Sequence, residues 1–186
     1  TPKTVIVNID DSIETTTTKY ETTCMRVDSF IENHGIDYVY GQDIIDVQMY
    51  DGIEDNMEIN ITKALQIPVT ADGETKTVTT LPVTVEELLK ELEIKVGEND
   101  IVEPAMDQML KGDDHVYVKR VTTGYVEEEE VVEHDQVYQV DYNMAIGSTE
   151  VTQEGQDGIE KKTYFVTYID GEEAERELKD VEVLQE

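Results

Sequence analysis

Two stretches of this chain repeat one plan. Residues 4–63 open on an alternating run, Val5, Val7 and Ile9, and residues 65–120 open on another, Leu65, Ile67 and Val69. Each run leads into a turn, Asp10-Asp11-Ser12 or Ala71-Asp72-Gly73, and then into a threonine-rich strand, Thr15 to Tyr20 or Thr75 to Thr80. A period of two marks these segments as strands. A short helix follows. In the second copy Thr84-Val85-Glu86-Glu87 is a capping box ahead of Leu88, Leu89 and Leu92 on one face. In the first copy Val27, Phe30 and Ile31 stand in the places of Val85, Leu88 and Leu89, but Arg26 replaces the capping Thr84 and Ser29 replaces Glu87. A weaker first helix is expected there. Ile36 then matches Ile94, Asp43-Ile44-Ile45 matches Asp100-Ile101-Val102, and each copy closes on an alternating strand, Ile59/Ile61 or Val116/Val118. The order strand, strand, helix, strand, strand predicts a small α+β unit of the β-grasp kind, with the helix laid across one face of a mixed sheet. Such a unit holds only a small core.

The chain accordingly divides into three expected modules: 1–63 and 64–120, the two repeats, and 121–186. Ile59 to Val69 and Val116 to Val132 read as nearly continuous extended runs, with no glycine-, serine- or proline-rich spacer at either junction. Short, stiff joints and an elongated molecule are expected. The last module is organised by Tyr138 to Leu178. Val137, Gln139 and Asp141 alternate with Tyr138, Val140 and Tyr142, and Tyr164, Val166 and Tyr168 alternate with Thr163, Phe165, Thr167 and Ile169, so both segments are predicted as strands. Asp170-Gly171 is the pair favoured in a tight type I′ hairpin. Gly147, Gly155, Gly158 and Gly171 are expected where the backbone turns or crosses closely. Charged and polar residues fall on both faces, which predicts a thin, mostly antiparallel, solvated sheet. Modules of this kind offer no deep cleft and are poor enzyme scaffolds.

Charge narrows the partners. Lysine and arginine number 14 against 44 aspartates and glutamates, a net charge of −30 over 186 residues. Nucleic acid needs a basic footprint, and anionic membranes repel such a chain. Neutral ligands, cations and basic partners remain. Cys24 is the one cysteine, so no intrachain disulfide forms. No apolar run here is long enough to span a membrane and no signal-peptide pattern is read in these residues, so any anchor or signal is expected upstream. The start at Thr1-Pro2-Lys3, without a methionine, is read as that of a trimmed piece of a longer protein.

No catalytic constellation emerges. Cys24 and His34 flank the first helix, at positions that match Pro82 and Leu92 of the second repeat, so both read as module positions. Asp113-Asp114-His115 and Glu133-His134-Asp135 each hold part of a zinc ligand set that a second chain could complete, but histidine spacing motifs are missing and exposed loops are the simpler reading. No cofactor and no metal site is assigned. The candidate binding residues are aromatic. Half of the ten tyrosines fall in the last module, and alternation puts Tyr138 with Tyr142, and Tyr164 with Tyr168, on shared faces. Such rings stack on pyranoses; they also serve as half-wet cross-strand pairs.

The second repeat, with its T-V-x-E-L-L helix and D-I-V-x-P strand (Asp100, Ile101, Val102, Pro104), resembles the ubiquitin-like domain of unknown function found in tandem in YabE-like and resuscitation-promoting-factor-B-like cell-wall proteins. Residues 121–186 resemble the G-five domain that follows those repeats, through Val151, Glu154, Gly155, Asp157 and Gly158, then Thr163, Tyr164, Val166, Thr167 and Tyr168, then Gly171 and Arg176. The resemblance implies an extracellular, surface or cell-wall location in a Gram-positive-type bacterium. It implies a non-catalytic stalk that binds peptidoglycan or another N-acetylglucosamine-type glycan, with any peptidoglycan-cleaving activity in a domain outside this chain. A monomer is expected. The alternative is a surface rod that self-associates, with or without zinc; the single G-five copy counts against it.

Overall fold

The computed structural model describes residues 1–185, and the chain separates into two compact units, 1–120 and 121–186. The first unit begins with β1 (Lys3–Asp10), β2 (Thr15–Thr22), α1 (Val27–His34), β3 (Ile44–Ile45) and β4 (Met57–Thr62). The same series returns as β5 (Leu65–Ala71), β6 (Glu74–Thr80), α2 (Val85–Glu91), β7 (Ile101–Glu103) and β8 (Val116–Lys119). Strand orders are β2-β1-β4-β3 and β6-β5-β8-β7. In each sheet the two central strands are parallel and the outer pairings antiparallel. This is the expected β-grasp arrangement, made twice.

Each helix buries the face predicted for it. Val27, Phe30 and Ile31 pack on Val5, Val7, Ile59 and Ile61 of the first sheet, and Val85, Leu88 and Leu89 pack on Ile67, Val69, Val116 and Val118 of the second. Ile53 and Leu110, in the loops before the last strands, are buried too and complete the two cores. They carry no periodic signal because they sit in irregular backbone. The ladder also corrects the repeat alignment. Val7 faces Ile59 and Val69 faces Val116, so Val7 is the counterpart of Val69 and not of Ile67. Beyond this pair the first hairpin is four residues longer: Val7 faces Thr18 and the chain turns at a tip of 11–14, whereas Val69 faces Lys76 and the chain turns at Asp72-Gly73.

The two helix starts are held alike. In α2 the capping box forms: Thr84 Oγ1 accepts from Glu87 N–H, and the Glu87 carboxylate accepts from Thr84 N–H. In α1 Arg26 supplies no side-chain cap. Yet Val27 and Asp28 N–H donate to Asp51 and Met49 carbonyls, as Val85 and Glu86 donate to Gln108 and Met106. Ser29 N–H donates to the Asp28 carboxylate at 2.6 Å. The returning loop and Asp28 therefore satisfy the first-turn donors that a capping residue ordinarily serves. α1 runs as long as α2 as a result.

The second unit is one antiparallel sheet of β9 (Val121–Val132), β10 (Gly158–Ile169) and β11 (Glu172–Gln185), with β10 in the middle. Asp170 at φ 51° and Gly171 at φ 85° make the two-residue turn between β10 and β11. Val166 is the one buried hydrophobic residue among the described residues of this unit. The sheet is thin, as its two-faced polarity predicts.

The segment around Val137–Tyr142 departs from expectation: residues 133–157 form an irregular connector, not strands. A strand needs a ladder partner, and β9 and β11 already occupy both edges of β10. Asp141 also takes Asn143 N–H on its side chain, at 2.8 Å, which folds the chain into a turn instead of extending it.

Candidate functional site

The second unit is held by its surface. Arg176 on β11 reaches over the β10 strand, its guanidinium 4.8 Å from the centre of the Tyr164 ring, and bonds Glu128 on β9 at 2.7 Å. It also bonds Glu173 on its own strand at 2.8 Å. One side chain thus staples three strands, and the two carboxylates raise its already high pKa. Lys161 pairs with Glu127, Lys162 with Glu130, and Lys179 with Glu177. Each of the four cations in this unit is therefore committed to a glutamate, and none stands open for an anionic polymer. The run Glu127 to Glu130 is stabilised in the same way, by cross-strand cations.

The connector has a closed base and an open span. At the base His134 Nδ1 and Asp157 Oδ1 are 2.7 Å apart, and His134 N–H also reaches that carboxylate. These bonds hold the Asp157 carboxyl below its usual pKa. A side chain at Gly155 would collide with the His134 ring, and one at Gly158 would lie 2.9 Å from the Gln185 carbonyl. Both glycines thus mark close approaches, whereas Gly147, at φ 87°, sits in a true turn beside Ser148. On the span, Tyr138 is 79% exposed and Tyr142 95%, with Val137, Val140, Ile146 and Val151 also turned outward. Between Gln136 and Thr149 the only charged residue is Asp141.

The four candidate tyrosines separate into two kinds. Tyr138 and Tyr142 lie open on the connector, Tyr138 donating to the Gln136 amide oxygen. Tyr164 and Tyr168 share a face of β10 but are half-buried, and Arg176 covers the ring of Tyr164.

The other sequence candidates are accounted for by packing. His34 lies against Phe30 and Tyr20 and bonds Thr22 Oγ1 at 3.1 Å, while the Cys24 sulfur faces Asn33, so the pair does not form a nucleophile and base. Both ring nitrogens of His115 are engaged, by Thr70 at 2.8 Å and by the Tyr117 hydroxyl at 3.1 Å. Among the described residues no three histidine, cysteine or carboxylate groups stand together as a metal would need. Two hollows of the first unit, about 530 and 690 Å³, are open to solvent; in the first, Lys63 is already held in an ion pair with Asp37.

Sequence reasoning missed a pair of ionic clamps, the first of them buried. Asp43, its side chain 2% exposed, accepts from Lys63 Nζ at 2.7 Å, Val39 N–H at 2.7 Å and Ala64 N–H at 2.8 Å. Burial pushes its carboxyl up, but these donors outweigh that and hold it below the usual carboxylate range. At the same place in the second repeat, Arg120 bonds Asp100 at 2.7 Å, Asp72 at 2.7 Å and the Lys95 carbonyl. The repeat alignment of Asp43 with Asp100 was the available signal.

Comparison with known proteins agrees with the architecture. Residues 67–107 match the model of the G5-linked ubiquitin-like domain, and residues 123–186 match the model of the G5 domain. The resemblance read from the sequence, ubiquitin-like followed by G5, is borne out. Over 185 residues, 98% of this chain and 48% of the relative, the sequence is 25% identical to resuscitation-promoting factor Rpf2 of Corynebacterium glutamicum. Over 109 residues, 57% of this chain and 26% of the relative, it is 32% identical to the Bacillus subtilis protein named for cell wall shaping, YabE. The chain thus spans about half the length of one of these relatives and a quarter of the other.

Proposed function

We propose that this chain is the non-catalytic, wall-binding region of a secreted bacterial protein that remodels peptidoglycan, and that the connector between β9 and β10 presents its glycan-binding face. The observation that carries this is the connector itself. In a chain of net charge −30 it holds a single charge between Gln136 and Thr149, and it turns Tyr138 and Tyr142 to solvent beside the amides of Gln136, Gln139 and Asn143. Rings with neighbouring amides suit an uncharged N-acetylated sugar: the rings stack on pyranose faces and the amides bond the hydroxyls. A bare polyanion is disfavoured, because every cation of the unit already serves a glutamate.

The G5 and ubiquitin-like domains are non-catalytic, so cleavage of the wall falls to a separate domain of the full-length protein. The names of the two relatives support a place at the cell wall, on the outside of a Gram-positive-type bacterium. The chain works as a monomer, its long acidic strands repelling a second copy.

Co-sedimentation with purified peptidoglycan tests the reading. The chain pellets with the polymer, and Tyr138→Ala with Tyr142→Ala weakens binding by about tenfold per ring, near 1.4 kcal/mol each. Tyr164→Ala with Tyr168→Ala affects binding less. Absence of binding, or binding indifferent to the connector tyrosines, rejects the proposal.

A further inference from the structure

We propose that Asp43 and Lys63 form a joint lock, and that the tip of the first hairpin is its strut, so that the two ubiquitin-like sheets of residues 1–120 move as one stiff body. The inference does not depend on any ligand. Only Lys63 and Ala64 separate β4 from β5. Both are tied back to the first repeat. Lys63 N–H donates to the Asp10 carbonyl at 2.8 Å, and its ammonium sits between Asp43 at 2.7 Å and Asp37 at 2.8 Å. Ala64 N–H donates to the second oxygen of Asp43 at 2.8 Å. One buried carboxylate thus holds the side chain of the first linker residue and the backbone of the second, which fixes the direction in which β5 leaves.

A single anchored point still allows rotation about it. The second contact removes that freedom. The first hairpin's tip at 11–14, which the second hairpin lacks, brings Ser12 Oγ to 2.8 Å from Gly112 N–H in the second repeat. The fit is close: a Cβ on Gly112 would lie 3.6 Å from the Asp11 carbonyl and 3.8 Å from Ile13 Cδ1. The tip is itself pinned, because the Asp11 carboxylate accepts from Ile13 and Glu14 N–H and the Asp10 carboxylate from Ser12 N–H. Between lock and strut lies an open hollow of about 530 Å³, floored by Ile9, Ile13, Ala64 and Leu65. Lock and strut flank this hollow, and removing either one frees rotation about the other.

The test is a distance measurement on the full chain. Spin labels at Glu32→Cys on α1 and Glu91→Cys on α2, in a Cys24→Ser background, report the separation of the two repeats by pulsed dipolar spectroscopy. The parent gives a narrow distribution. Asp43→Ala and Lys63→Met, the latter keeping the aliphatic stem, lose it, and Ser12→Ala broadens it. Arg120→Ala is the control, since it breaks bonds to Asp72, Asp100 and Lys95 within the second repeat; the distribution stays narrow even where stability falls. If Asp43→Ala does not fold, Lys63→Met decides. A broad distribution in the parent, or a Lys63→Met distribution as narrow as the parent's, overturns the proposal.

Discussion

Replacing Asp43 by alanine probes the first repeat where its surface chemistry reaches furthest inward. The variant removes the main counter-charge of Lys63, which is 16% exposed, and the acceptor of two backbone N–H groups. Breaking a buried ion pair by removing one partner costs about 3–5 kcal/mol. Lys63 retains Asp37, an exposed partner, so the lower end applies, about 3 kcal/mol. Val39 is 43% exposed, and water can replace its lost bond, adding roughly 1 kcal/mol or less. Domains carry about 0.05–0.15 kcal/mol of stability per residue, so the loss is at least about a third of what a repeat of this size holds. At about 4–8 °C per kcal/mol, the first repeat melts at least roughly 12 °C lower. Thermal unfolding followed by two-dimensional amide NMR resolves this, because amides of β1 and β4 vanish before those of β5 and β8.

Acid supplies the second half of the test. The folded pKa of Asp43 lies below the unfolded value, so its contribution is complete above about pH 4 and is lost as pH falls through the folded pKa. The gap between parent and variant therefore closes on acidification. Lys63 runs the other way: burial lowers its pKa, its bonds to Asp37 and Asp43 raise it further, and its contribution persists until pH rises above the usual lysine range. A loss under about 1 kcal/mol at neutral pH, or a gap that widens in acid, refutes the reasoning.

Two further outcomes follow from the same physics. Thr84→Ala removes a working N-cap and lowers stability by about 1 kcal/mol in urea titration, whereas Arg26→Ala, which caps nothing and loses only exposed contacts to Asp28 and Tyr50, shifts the midpoint less. Arg176→Ala unpins β9 from β11 and uncovers the Tyr164 ring, so amide exchange across β9 and β10 accelerates while exchange in the first unit is unaffected; equal protection in both proteins argues against the staple.

Much of the candidate site was legible as composition and little of it as geometry. The tyrosines and glycines of the last module were visible, and Asp170-Gly171 forms the turn its residue types demand. That Tyr138 and Tyr142 lie open on an irregular span while Tyr164 sits beneath Arg176 was not, because alternation says which side of a strand a ring would take and nothing about whether a partner strand exists.

By itself the sequence determined the twofold repeat, the apolar faces of α1 and α2 down to Phe30 and Leu88, and the thinness of the last sheet. Those features follow from local periodicity and from how much apolar surface each segment has to bury. Tertiary structure alone decided the register that sets Val7 against Ile59, the role of Ile53 and Leu110, the irregular path of 133–157, and the meeting of Asp43 with Lys63 and Ala64. Each of these depends on which distant group reaches a given edge or donor first. Hydrogen bonds and ion pairs are decided across space, and their partners leave no period along the chain.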